Sequence, residues 1–380
     1  MSPIPDSYKG REQSYVKHVI LEEYLTALAY RALYAHGKFT FLDAFSGPWQ
    51  STDGTFEDTS FMKAIRILSR VQQDVRSHGK KANVRCIFVE KKKSSYKKLK
   101  AAVENVSALT TVPLHGEFEN LMPEILENSK GGFLLAFIDP KGWTGFSFEK
   151  IQPILSREPN EVLITFMYEF IRRFLNYDNP KNQASLNALF GSKTWKQSLQ
   201  KREFPEDTIV DRFAAALKEY GAFRYAISTP ILKPTRDKTL YRLVFGTRHP
   251  KGIEVYRDAE RKALRQQLEA REGAKLDHRV ERSRQAELFG ADALPLDEDF
   301  KKIVNDELEK AKAQVMVLLS ARREMTYGEL RQDVLLKCRV RLVELNEIVS
   351  SLRKERVIEV APWLPKQRVP KTDNVIRLVG

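Results

Sequence analysis

Cysteine is nearly absent: Cys86 and Cys338 are the only two in 380 residues. Far apart in the chain, they offer neither a disulfide framework nor a cluster of metal ligands. No apolar run reaches the roughly 18 residues that a bilayer demands. The stretch Met1–Lys9 lacks the apolar core of a signal peptide. No basic amphipathic helix carries a broad aromatic face, which argues against anchoring to a membrane surface. These absences lead to the expectation of a reduced, cytoplasmic setting, with no membrane partner and no metal.

The charge is what the chain has in excess. Lys and Arg number 64 against 50 Asp and Glu, a formal charge of +14. A surplus of this size favours polyanionic partners, because each neutralised phosphate releases counterions. Nucleic acid, RNA or DNA, is therefore the expected partner. With 42% hydrophobic residues the chain can build ordinary cores, and its length suits two or three domains.

Tyr15–Tyr34 is predicted helical, with Val16, Val19, Ile20, Tyr24, Leu25, Leu28 and Ala29 on one face. Strand-like segments follow at Phe39–Phe45, Val84–Glu90, Thr111–His115, Phe133–Asp139 and Val162–Met167. Helical patterns at Ser60–Gln72, Ser94–Val106, Glu117–Glu127 and Glu149–Ser156 alternate with them. Such alternation implies a mainly parallel sheet. Ala222–Ser228 and Leu240–Thr247, joined by a polar turn at Pro234–Lys238, read as a hairpin closing one edge. The expected fold class is α/β: a doubly wound, seven-stranded, mostly parallel sheet over residues 1–258. Within it, 177–215 reads as an insertion facing the substrate, or as extra helices.

Residues 259–302 are dense in charge and read as a charged helix ending in a linker at Ala291–Asp299. From 303 to 380 three helical patterns precede two short strands, Val357–Val360 and Val375–Val379. The first helix carries Val315, Val317, Leu318 and Leu319. Thr326-Tyr-Gly-Glu329 is a capping box opening the second. The third, Val340–Lys354, turns Leu342, Leu345, Ile348, Val349 and Leu352 inward. That order predicts a winged-helix domain. Arg339 and Arg341 at the start of its third helix, with Lys366, Arg368 and Lys371 in the wing, are the expected nucleic-acid contacts.

The chemistry concentrates where strands end. Phe41-Leu-Asp-Ala-Phe-Ser-Gly-Pro48 and Phe137-Ile-Asp-Pro-Lys-Gly-Trp143 are apolar runs that deliver a carboxylate and then turn. Ligands of open α/β sheets bind outside such carboxyl ends, so the strands of Asp43 and Asp139 are expected side by side at the switch point. Gly47 permits close backbone approach. Glu90, at the tip of the second strand, is placed to take both ribose hydroxyls of a nucleoside cofactor. Glu117 and Phe118 either meet an adenine ring or form an acidic first helical turn. Pro140 fixes the turn after Asp139 and leaves the next carbonyl without a ladder partner. A carbonyl and a carboxylate so placed can accept from a target amine, and positioning then supplies most of the catalysis.

Taken in order, Lys17-His-Val-Ile-Leu-Glu-Glu-Tyr-Leu25, Phe41–Pro48, Asp58-Thr-Ser-Phe, Phe137–Gly142 and Tyr241-Arg-Leu-Val-Phe-Gly-Thr-Arg-His-Pro250 resemble the three-Cys-motif partner proteins. These are methyltransferase-like proteins of bacteria and phages, named for a neighbouring protein that carries the cysteines. The resemblance spans Tyr15–Asp258. It implies a Rossmann-like S-adenosylmethionine fold, with Asp43, Phe45, Ser46, Gly47 and Glu90 around the cofactor and Asp139 and Pro140 at the target; Lys141, next in the turn, is a further catalytic candidate. It also implies a three-Cys-motif protein as a partner. Two departures stand out: Trp49 replaces a glycine after Pro48, and Lys141-Gly142 replace the Pro-aromatic pair of amino-methyltransferases. Adenine stacking at that point is then lost unless Trp143 supplies it.

The function expected is therefore S-adenosylmethionine-dependent methylation of nucleic acid at a base amine. Two alternatives stand beside it. Asp43 with Glu90-Lys91-Lys92 fits a Mg²⁺-dependent nuclease. A non-catalytic nucleic-acid-binding protein on a methyltransferase fold fits the departures.

Overall fold

Alternating residues along each parallel strand face opposite ways, and each face collects its own helices. Phe39, Phe41, Phe88, Leu135 and Phe137 belong to one core; Leu42, Ile87, Val89, Leu134, Ala136 and Ile138 belong to the other. The computed structural model of the chain describes residues 4–47, 51, 56–142, 145–175, 179–198, 205–283 and 296–379. Trp49, Trp143 and residues 291–295 of the expected linker lie outside these.

Helix α1 (Glu12–His36) stops at Gly37, whose φ of 66° reverses the chain into β1 (Lys38–Asp43). Thr59 caps α2 (Ser60–Ser77) by accepting from the Met62 amide, and Phe61, Ala64, Leu68 and Val71 bury its inner stripe. Then come β2 (Asn83–Glu90), α3 (Lys93–Glu104), β3 (Thr110–His115), α4 (Met122–Asn128), β4 (Phe133–Ile138), α5 (Phe148–Leu155) and β5 (Asn160–Phe166). After α6 (Tyr168–Phe174), α7 (Pro180–Phe190) and α8 (Glu206–Gly221), the chain forms β6 (Tyr225–Leu232) and β7 (Thr239–Thr247). The strand order is β3-β2-β1-β4-β5-β7-β6, with β7 antiparallel to both β5 and β6. This is the expected doubly wound, seven-stranded, mostly parallel sheet. β1 and β4 are neighbours, and Asp43 faces Phe137 across them.

The charged stretch departs from expectation. It is a 34-residue helix, α9 (Pro250–Ser283), which crosses the expected boundary at 258 and packs along α1. It starts at the base of the sheet, where Thr247 pairs with Tyr225, and climbs toward the carboxyl-end rim. Tyr256 meets Thr229 at 2.9 Å, Gln267 accepts from the Leu232 amide at 2.9 Å, and Arg271 pairs with Asp237 in the β6–β7 turn. Its buried side includes Glu254, Arg257, Glu260 and Arg261 beside Tyr256, Ala259 and Ala263. Leu296–Asp299 of the expected linker are the first turn of α10 (Leu296–Arg322), where three acids suit the helix dipole.

The C-terminal unit continues with β8 (Glu324–Thr326), α11 (Tyr327–Lys337), α12 (Leu342–Lys354), β9 (Ile358–Ala361) and β10 (Val375–Leu378). Its three strands form an antiparallel sheet of order β8-β10-β9. Both halves of the Thr326–Glu329 capping box are made. The unit is clamped to α9 by buried charge. Arg331 meets Glu254 at 3.4 Å, Arg257 donates to the Leu335 carbonyl at 2.9 and 3.0 Å, and Arg261 grips Glu344 at 2.7 and 2.9 Å. α11 therefore climbs beside α9, and its first residues lie at the base. The loop 362–374 is tied to that end, since Tyr327 and Gly328 donate to the Asn374 and Thr372 carbonyls.

Candidate active site

The turn after β1 is built from within. Asp43 is fully buried and accepts from Ser60 Oγ at 2.6 Å and from the Phe45 amide at 3.1 Å. Burial pushes its carboxyl up to about 6, against the lowering effect of these donors. Ser46, also buried, donates its hydroxyl to the Asp43 carbonyl and its amide to Val89. Both residues shape the turn that carries Phe45 and Gly47.

Beside that turn lies a cleft of about 640 Å³. Its walls include Phe45, Glu90, Gly116, Glu117, Phe118 and Lys141. Glu90 is 1% exposed. Its Oε1 accepts from the Lys92 amide at 2.5 Å, and its buried Oε2 has no partner. Burial raises this carboxyl above its usual range. A carboxylate oxygen left bare at a strand tip is costly unless a ligand hydroxyl completes it. Phe118 is buried edge-on to Phe45 at 5.9 Å, while Glu117 stands exposed and pairs with Lys91 at 2.6 Å. The 177–215 segment joins in: α7 brings Ser185 and Ala188 to the wall, anchored by Phe190 stacked on Trp195 at 4.6 Å.

Phe45 and Lys141 also border a second chamber of about 380 Å³. Here lie Asp139 and Pro140, with Gly47, Thr165, Phe170 and Tyr241. The turn after Pro140 packs tightly, because a Cβ on Gly145 would stand 2.6 Å from Pro140 and 2.8 Å from Phe45. Asp139 is ion-paired to Lys17 of α1, and the same ammonium lies 5.6 Å from the Tyr241 ring centre. Next to it Tyr8 holds His18 Nδ1 at 2.7 Å, and Asp58 takes Arg11 and Ser51. Burial first, then the nearby cations, keeps His18 far below its usual range, hence neutral.

The strand ends bring Glu90, Glu117 and Phe118 to the first cavity and Gly47, Asp139 and Pro140 to the second, with Phe45 and Lys141 bordering both. Asp43 and Ser46 support them from beneath. Sequence reasoning missed Lys17, Thr165, Phe170 and Tyr241. The visible signal was a lysine–histidine pair set into the buried stripe of α1, where both residues are buried. Among the described residues no three His, Cys, Asp or Glu converge as a metal site, and no helix is long and apolar enough to cross a membrane.

The basic residues expected on nucleic acid fall into two sets. Arg339 and Arg341 are half-exposed but already paired: Arg339 binds Glu307 and Arg341 binds Glu344, each at 3.0 Å, at the joint with α9 and α10. The start of α12 therefore differs from the expectation of free cations in that its guanidinium groups share the joint's glutamates, Glu344 being gripped by Arg261 as well. Lys366, Arg368 and Lys371 are exposed in the 362–374 loop. Asn374 organises that loop by accepting from the Lys371 amide and donating to the Pro362 carbonyl.

Comparison with known proteins adds little. No family model matches the chain, and no curated protein does. Among solved structures, a loganic acid methyltransferase with SAH is similar at 9% identity, over 74% of this chain and 93% of that one, with a TM-score of 0.29. The strand order itself is that of a Rossmann-like methyltransferase sheet.

Proposed function

We propose that the chain is an S-adenosylmethionine-dependent methyltransferase acting on nucleic acid, at an exocyclic amine of a base. The carrying observation is Glu90: a buried carboxylate at the tip of β2, one oxygen of which has no hydrogen-bond partner, in the wall of a cleft of sufficient volume for a nucleoside. Glu90 would hold the ribose, Phe118 and Glu117 the adenine side, and Gly47 with the Asp43-supported turn the amino-acid end. When bound, S-adenosylmethionine supplies an electrophilic methyl group. Asp139 and the Pro140 carbonyl orient an amine in the adjoining chamber, and Lys17 holds the Asp139 carboxylate toward it.

Nucleic acid is favoured by the +14 charge and by the exposed wing cations of a C-terminal winged-helix domain. The resemblance to three-Cys-motif partner proteins adds a three-Cys-motif protein as a second partner. A non-catalytic reading has one observation in its favour: Lys17 already occupies an oxygen of Asp139.

Calorimetric titration with S-adenosylmethionine tests the proposal. Binding is expected, and Glu90→Ala should weaken it by about 1.5–3 kcal/mol, the worth of hydrogen bonds to a charged group. No binding by the wild-type chain would reject the cofactor. Binding without transfer of a labelled methyl group to any RNA or DNA would favour the non-catalytic reading.

A further inference from the structure

The Asp139 chamber holds polar atoms that no protein group satisfies. The Thr165 hydroxyl and Gln13 Oε1 are both buried without a hydrogen-bond partner, and both residues line this chamber. One is an acceptor and the other can donate or accept, so together they suit a ligand edge with mixed polarity. At the mouth stands Phe170 of α6, 39% exposed and the one exposed phenylalanine among the described residues. Its neighbours Tyr168 and Ile171 are buried, so α6 is well seated and turns this ring outward against the hydrophobic gradient.

Positive charge is in excess beside the ring. The Arg173 guanidinium carbon lies 5.7 Å from its centre, and Arg172, Arg173 and Lys233 share a single acid, Glu169, at 3.6, 3.3 and 2.9 Å. Arg236 and Lys238 of the β6–β7 turn are exposed nearby on the same rim. An aromatic face amid phosphate-binding charge, above a chamber with two unsatisfied edge atoms, matches a base on a single strand. An aliphatic amine would leave Phe170 and these edge atoms unused.

We propose that the chamber admits one unpaired nucleobase from a single strand, with Phe170 as its stacking face and Gln13 and Thr165 reading its edge. Phe170 then takes over, from the β5 end of the sheet, the stacking that Lys141-Gly142 cannot provide after Pro140. This rests on the nucleic-acid reading and narrows it to bases already outside a duplex, where unstacking is cheapest.

The test is fluorescence anisotropy with labelled 20-nucleotide single strands of DNA and of RNA, each beside its duplex. It is run in the full chain carrying Lys366→Glu, Arg368→Glu and Lys371→Glu, so that cations at the base do not mask the rim. Phe170→Ala should weaken single-strand binding by about 5- to 150-fold, the range for base–aromatic stacking. Phe170→Trp should restore it, and S-adenosylmethionine titration should be unchanged in both variants. Such a loss in the DNA arm, the RNA arm or both supports the proposal. Single-strand binding that Phe170→Ala leaves intact overturns it while the nucleic-acid reading stands. A wild-type chain that binds no strand and no duplex rejects that reading, and this proposal with it.

Discussion

Along the seam between α9, α10 and the C-terminal unit, Glu254, Glu307 and Glu344 each face an arginine; at the rim, Asp43 and Glu90 have only hydroxyl and amide donors. The consequence is visible in the acidities of Glu307 and Asp43. Burial alone would raise Glu307, but the Arg339 amide and guanidinium outweigh it and hold the carboxyl at about 2. Asp43, more deeply buried and with no cation beside it, sits at about 6 because burial prevails. Buried acids thus do two jobs here. Paired, they fasten one unit to another; without a cation, Asp43 holds the turn after β1 and Glu90 keeps one oxygen without a partner.

The largest effect should come from breaking a pair. Arg261→Ala leaves Glu344 buried without its main partner and should cost about 3–5 kcal/mol, read from urea unfolding. Unfolding at the wild-type urea concentration would mean that the seam contributes fit rather than energy, and the contrast would fail.

The pH dependence sharpens the same contrast, because the two acids carry opposite signs. Asp43 is raised in the folded chain, so between about pH 4 and 6 the folded state keeps a proton that the unfolded state has lost. Stability therefore falls as pH rises through that window, by up to roughly 3 kcal/mol, and Asp43→Asn should remove the slope. Glu307 is depressed, so its contribution is present above about pH 4.5 and lost as pH falls toward 2. Equal slopes in wild type and Asp43→Asn, from unfolding curves at several pH values, would contradict the burial argument.

Much of the rim could be read from residue order. A strand-terminal acid followed by a turn is a local pattern, and Asp43, Glu90 and Asp139 all sit where that pattern places them. The seam was not readable in this way. Arg257 and Arg261 look like solvent-facing residues on any hydropathy scale, and only contact with Leu335 and Glu344, some eighty positions away, reveals them as interior. The expected boundary at 258 fell inside a continuous helix for that reason. Lys17 escaped for the same one, since its partner Asp139 is 122 residues distant. β8, three residues long, is too short to leave a periodic trace.

The smallest expected effect concerns the exposed cations. Reversing Lys366, Arg368 and Lys371 to Glu should lower nucleic-acid affinity irrespective of sequence and flatten the salt dependence by about one unit of slope per lost contact. Unchanged binding to both RNA and DNA would give this end of the molecule to protein partners, leaving nucleic acid to the rim alone.

The climb of α9 from base to rim also sets a length. Glu254, beside Arg331, and Arg271, beside the β6–β7 turn, are 17 residues apart, or about 26 Å of helix at 1.5 Å per residue. Because the C-terminal unit is clamped along this helix, the interval cannot be shortened without breaking its ion pairs. A polymer that touched both ends would have to bridge it, about eight steps of duplex at 3.4 Å each. Shorter fragments could occupy one end only. On the nucleic-acid proposal that interval acts as a ruler, and a series of oligomers of increasing length should show a single step in affinity where the far end is first reached.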